Sequence, residues 1–385
     1  MSEIVCHIVR EVVRRHRVQT RPAYHQVSGE VVRYIVRPLV EEVDGGGEEV
    51  VAPSFGLSAP SIDAILQSGE VATITPATPL GDPATITYQL LVSDDDGMTW
   101  STSGAEFSAA EFTPVYADVY PEEVSVAIRQ YARNDGGEAS ADSNGAEVIL
   151  RLQDIATVYQ WEPRISPKWQ EIAGQTTLAG VGDPVGELGD LGSAGLNYLA
   201  LANTNRATFD GTWLDFDAND YYEAAPLIAL DGGDALVHIF IGYTRSTTTA
   251  ALSAGDGTDT VYSPGLLRVG STTSVRWYGE TDNDNAFVSA TIAGINTAPQ
   301  LLMGELDAAG GTRKLYHGDL NTPVASQTFA PSIVKIGDQR TNLGALTGNT
   351  FPALIVLGLE AYLSAIPGAL VRSQIERYSA YHYGV

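Results

Sequence analysis

From residue 53 onward the chain is built of short apolar runs cut by Gly, Pro, Asp, Asn and Ser. EVATITP, ATITYQLLVS, VSVAIRQYAR and AEVILRL fall within residues 53–152. Runs of this length and β-branched content, bounded by turn formers, predict strands, and their spacing over about 100 residues predicts an immunoglobulin-like (fibronectin-like) sandwich. A second series, ALVHIFIGYT, SVRWYGE, AFVSATI, PQLLMGEL, RKLYHG, SIVKIG and ALIVLGL, occupies residues 158–385 and predicts a larger jelly roll. The period changes once. Ile366, Leu370, Val371, Ile375 and Tyr378 recur at helical spacing, with Pro367 suited to a first turn and Gly384 after the end, so a short helix closes the chain over the sandwich.

Residues 1–50 follow another rhythm. Glu11-Val12-Val13-Arg14 recurs as Glu30-Val31-Val32-Arg33 on either side of Ser28-Gly29, and Asp44 to Glu49 reads as a linker. A segment so short is at the edge of independent stability, which predicts packing against copies of itself or a partner. The fold class expected is therefore mostly β, in three parts: a small β-rich N-terminal anchor, an Ig-like spacer and a C-terminal jelly roll closed by a helix.

Charge sharpens that division. Residues 1–40 hold seven arginines against Glu3, Glu11 and Glu30, while the rest holds fifteen basic and 44 acidic side chains. A strongly acidic body repels nucleic acid and anionic membrane, so neither is an expected partner. The basic foot suits docking onto an acidic protein surface, with Arg14, Arg15 and Arg17 as its densest cluster. The single Cys6 makes no internal disulfide, and no stretch reaches the length of a membrane span. The opening MSEIVCHIVREVVRR also lacks the apolar stretch of an export signal.

Among local motifs, Ser93-Asp94-Asp95-Asp96-Gly97-Met98-Thr99-Trp100 fits the Asp-box S-x-D-x-G-x-T-W. One copy predicts a hairpin turn with Gly at positive φ and Trp packed beneath. The order Gly182-Asp183-Pro184-Val185, Leu188 to Asn197, Phe209-Asp210-Gly211, Leu214 to Asp217 and Asp220-Tyr221-Tyr222 resembles the opening of concanavalin A-like (laminin G-like) jelly rolls in bacteriophage virion proteins. Ile375 to Tyr378, followed by Tyr383-Gly384-Val385, is similar to the closing helix of the same group.

The resemblance implies a virion appendage, a tail fibre or head spike of a phage or gene transfer agent, assembled in the bacterial cytoplasm. It implies a homo-oligomer, trimer or pentamer, that binds a host capsular or other surface polysaccharide and joins other virion proteins through its N-terminal segment. The rival functions are a depolymerase acting on the same polysaccharide and a decoration protein with no ligand.

Catalysis finds little support in the residues. The E-x-D-x-x-E spacing of concanavalin-fold glucanases is approached by Glu305 and Asp307 but ends in Gly310, and both acids read as the solvent face of a strand. Histidine pairs at zinc spacing, G-x-S-x-G and phosphate-binding glycine loops are all missing from the sequence. An enzyme is not expected, and no motif calls for a cofactor. Calcium is the one ion the oxygen-rich loops would suit, at Asp256 and Asp259 above all, although Asp and Asn also simply form turns. For sugar contacts, Arg276, Trp277 and Tyr278 followed by Asp282, Asn283, Asp284 and Asn285 combine aromatic rings with hydrogen-bonding groups, and Tyr243 and Tyr262 are further candidates. Strand alternation sends Trp277 and Tyr278 to opposite faces, so at least one of them is expected in the core.

Overall fold

The computed structural model describes residues 50–385 except 84, 94–96, 115–124, 173, 218–219, 226, 246–249, 252–256, 259–260, 263–265, 270–272, 280, 282–285, 336–340 and 344–353. Among the described residues the protein is mostly β, with one long helix at the C-terminal end. The basic foot, with Arg14, Arg15 and Arg17, lies outside the described residues.

The first sheet has the strand order Ile65–Gln67, Ala146–Ile149, Ser125–Asn134, Thr85–Ser93 and Ser101–Phe107, with Gly137–Asp142 also pairing Ser125–Asn134. A short ladder of Ala72–Thr73 with Glu111–Phe112 accompanies it. Ile74, Tyr88, Val126, Ile128 and Val148 fill its core. The described residues of the Asp-box, Ser93 and Gly97 to Trp100, lie between the paired strands Thr85–Ser93 and Ser101–Phe107. Gly97 has φ 79° and donates its N–H to Ser93 Oγ at 2.8 Å, and Trp100 lies within 3.2 Å of where a Cβ on Gly97 would stand.

The larger part is organised around an eight-stranded antiparallel sheet. Its central strands are Ile355–Leu363, Ala235–Thr244 and Gln300–Asp307, flanked by Thr312–His317 and Asp319–Thr328. Ile355–Leu363 is buried at every position, which explains why these segments read as continuous apolar runs: both faces of the sheet are covered. Leu236, Phe240, Leu302, Leu306 and Leu357 point to one side, where they meet Trp277, Val275, Val288, Tyr198 and Tyr222 from two smaller sheets. Val237, Ile239, Ile241, Met303 and Leu359 point to the other, beneath the helix Ala369–Tyr383. That helix ends where Gly384 takes φ 73° and returns its N–H to Ala380.

The same apolar cluster takes in Ile149, Leu150, Leu152 and Ile155, so the passage between the two parts of the chain is buried under the helix. An ion pair from Arg377 to Glu147 at 2.8 Å reinforces the seam.

Polar groups fix the helix in place. Glu162, fully buried, accepts from Tyr378 and Tyr383 hydroxyls at 2.6 and 2.7 Å and pairs with Arg164 at 3.0 Å. Glu305 pairs with Arg372 of the helix and with Lys314 at 2.8 Å, and accepts from the Tyr316 hydroxyl. Glu305 is 1% exposed, which corrects its reading as a solvent-facing acid: the helix covers that face of the strand. Asp307 does sit at the turn, where it accepts the N–H of Gly310 at 2.6 Å.

Beside the first of these groups, His382 packs on Tyr378 with centroids 4.5 Å apart, and its Nε2 is buried without a hydrogen-bond partner. Burial, then the nearby Arg164 charge, lowers its pKa from 6.5 to about 4. The imidazole therefore binds its proton more readily when the chain is unfolded. Its stabilising contribution is complete above the unfolded pKa and is lost as pH falls from about 6.5 towards 4. His382→Gln is expected to remove about 2 kcal/mol of acid sensitivity, discounted for partial exposure. Melting temperatures of both forms at pH 7 and pH 4.5 check this, and parallel losses would refute it.

Candidate functional site: a groove on the outer sheet

The outer of the smaller sheets runs Lys168–Trp169, Glu187–Leu188, Tyr198–Ala200, Tyr222–Ala224 and Thr341–Leu343. Leu188, Tyr198, Ala200 and Tyr222 enter the core. Alternation then turns Trp169, Glu187, Leu199 and Glu223 outward, and the register places them in one row across four strands.

Two adjoining cavities, of about 510 and 350 Å³, open over this row and share Ile172 and Leu199. Leu196, Leu199 and Leu201 make an aliphatic floor, with Leu199 38% and Leu201 50% exposed. Glu187 and Glu223 flank it, and Gln175 and Asn197 stand at the rim. Glu187 Oε1 accepts from Gln175 Nε2 at 2.5 Å and from Asn197 Nδ2 at 2.6 Å.

The loops around the groove are held by acid-to-backbone bonds. Asp190 Oδ1 accepts N–H bonds from Gln160 and Gly192, each at 2.7 Å, and Oδ2 accepts from Leu196 at 2.8 Å. Burial raises the Asp190 pKa against the lowering effect of those N–H groups. Asp183 Oδ2 accepts from Gly180 N–H and from Gln170 Nε2, both at 2.9 Å. Asp210 Oδ1 accepts from Thr212 and Trp213, and the Tyr222 hydroxyl donates to Val185 at 2.6 Å. The Gly-Asp motifs that carry the resemblance thus set loop geometry, and Glu187 and Leu199 sit between and just beyond them.

The sugar contacts expected from sequence are placed elsewhere. Trp277 is fully buried and Tyr278 is 3% exposed, so neither ring offers a face to a ligand. The cause is local: Gly279 and Gly304 lack side chains where the indole lies, and a methyl at either would overlap it. Tyr278 packs on Phe287 with centroids 5.1 Å apart, and Arg276 lies over the same ring. Arg276 and Tyr243 stay half-buried in different sheets and do not converge. Tyr262 ends the strand Val261–Tyr262, with its side chain outside the description. Asp256, Asp259, Asp282, Asn283, Asp284 and Asn285 lie outside the described residues. Among those described, no group of three or more His, Cys, Asp or Glu could hold a metal ion, and no helix is long and apolar enough to cross a membrane.

The groove residues Glu187, Leu199 and Glu223 lie on strands two or three residues long, and Ile172 lies outside any strand, so no sequence pattern marked them. NYLAL and YYEAA alternate in burial and not in polarity.

No family model and no curated protein matches the chain. Among solved structures, it is similar to the botulinum neurotoxin serotype D binding domain at 10% identity, over 58% of this chain and 50% of that one, with TM-score 0.39. The serotype G binding domain is similar at 10% identity over 58% and 51%, with TM-score 0.36. The matches span about half the length of those structures, and the fold described above stands on its own strand pairing.

Proposed function

We propose that the protein is a non-catalytic glycan-binding component of a virion appendage, a fibre or spike, and that the groove over Leu199 is its polysaccharide site. The observation that carries this reading is the groove itself: an elongated, open, aliphatic floor edged by carboxylates and amides. Apolar faces of sugar rings suit such a floor, and hydroxyls suit such an edge.

The division into an N-terminal anchor over residues 1–50, a spacer over 53–152 and a binding head over 158–385 fits an appendage. The virion assignment itself, in a phage or gene transfer agent particle, rests on the sequence resemblance. A shallow site of this kind works by multivalency, which favours a homo-oligomer whose copies bind together.

The test uses the full chain, fluorescently labelled, on candidate host cells before and after their surface polysaccharide is removed. Binding that disappears with the polysaccharide is the expected result. Equal binding to stripped cells, or product release from purified polysaccharide, would overturn it.

A further inference from the structure

The four buried glutamates of the described chain do not share one environment. Glu305 pairs with Arg372 and Lys314, Glu162 with Arg164, and Glu360 stands 3.3 Å from His238. Glu187 is 4% exposed, lines the groove, and pairs with no Lys, Arg or His among the described residues. Its hydrogen bonds from Gln175 and Asn197 both fall on Oε1. The direction of the Asn197 amide is set independently, because Asn197 Oδ1 accepts the Asp190 N–H at 3.1 Å and so turns Nδ2 towards Glu187. Glu187 is thereby held as an acceptor. Buried carboxylates are ordinarily paired, and one held this way inside an open groove is completed by what binds there.

The surroundings agree on the sign of that occupant. The groove's charged lining residues are Glu187 and Glu223, both acidic. Next to Ile172, Glu171 is held at a pKa of about 2 by Thr177 and Thr176, so it stays anionic. Directly across the strand pair from Glu187 lies Trp169, partly exposed on the same face. Cross-strand partners have Cβ atoms about 5 Å apart, which brings the two side chains within reach of one group at the groove's edge, although Trp169 lines neither cavity. That combination suits an ammonium group, through charge pairing on one side and the ring face on the other. A sulfated or carboxylated sugar meets repulsion here. A neutral sugar covering the groove would leave Glu187 more deeply desolvated and still unpaired.

We infer that the groove takes a polysaccharide carrying free amino groups, with Glu187 as the residue that selects the ammonium-bearing sugar. This rests on the reading of the groove as a glycan site. The test is calorimetric titration of the full chain with a β-1,4-linked glucosamine tetramer and with its fully N-acetylated counterpart.

The wild-type protein is expected to bind the amine form roughly tenfold or more tightly over the acetylated one, as for a charge-assisted pair in a desolvated site. Glu187→Gln, nearly isosteric and checked for an unchanged melting temperature, brings the two affinities together. Glu223→Gln, on the partly buried opposite flank, is the second variant and narrows the gap less.

No measurable binding of the amine tetramer, or a preference that survives Glu187→Gln, overturns the inference. So does equal or tighter binding of the acetylated form. Should the acetylated tetramer bind the wild type at least as tightly as the amine form and be lost in Leu199→Arg, the glycan site stands and only the amine selectivity falls.

Discussion

Trp277→Ala is expected to cost about 3–5 kcal/mol of stability while leaving glycan binding by the folded protein unchanged. The indole is wholly enclosed between the central sheet and the strands Ser274–Tyr278 and Phe287–Thr291, in a socket that exists because positions 279 and 304 are glycine. Truncation leaves a cavity that glycine neighbours cannot fill. Trp277→Phe should cost less than the alanine change, since it keeps much of the ring and removes an indole N–H that has no hydrogen-bond partner. Urea unfolding midpoints of the three proteins decide the matter. A small shift combined with lost glycan binding would return Trp277 to the binding surface and contradict its burial.

The second large effect is expected at the seam between helix and sheet. Arg372 donates to Glu305, to the Leu320 carbonyl at 2.7 Å and to the Pro367 carbonyl at 2.9 Å, and lies over the Tyr316 ring. Arg372→Met strips Glu305 of its charged partner inside the protein, leaving Lys314 at its edge and the neutral Tyr316 hydroxyl. Breaking a buried pair on one side costs about 3–5 kcal/mol. Replacing both residues, Glu305→Met with Arg372→Met, removes the stranded charge and is expected to recover much of that loss. A double variant as unstable as the single one would mean that the carbonyl bonds, rather than the ion pair, hold the helix down.

The larger elements were legible from sequence because their patterns are long. Ala235–Thr244, Gln300–Asp307 and Ile355–Leu363 are mostly apolar, and the closing helix has its Gly384 cap. The helix was expected over the sandwich, and what the runs did not show was that Leu150 and Leu152 join it there. Continuous burial in an antiparallel sheet requires cover on both faces, and the helix, with Leu150 and Leu152, supplies the second cover.

The expected sugar contacts were misplaced for a related reason. In SVRWYGE alternation sorts Trp277 from Tyr278 but does not say that both faces are covered. The groove was harder still to find, since it depends on register between Glu187, Leu199 and Glu223, which lie on three short strands separated by 12 and 24 residues. Polar satisfaction is equally invisible in sequence: Glu187 and Glu305 look alike until one is found with Arg372 and Lys314 and the other with two amides.

The claim that the Leu199 groove is the glycan site is tested most directly on a glycan array, with wild type and Leu199→Arg compared at equal melting temperature. Leu199 is partly exposed on a sheet face, so arginine is tolerated there, and its guanidinium would lie between Glu187 and Glu223 where the ligand binds. A discrete set of glycans bound by the wild type and lost in the variant is the predicted result; the same set bound equally by both proteins would contradict it.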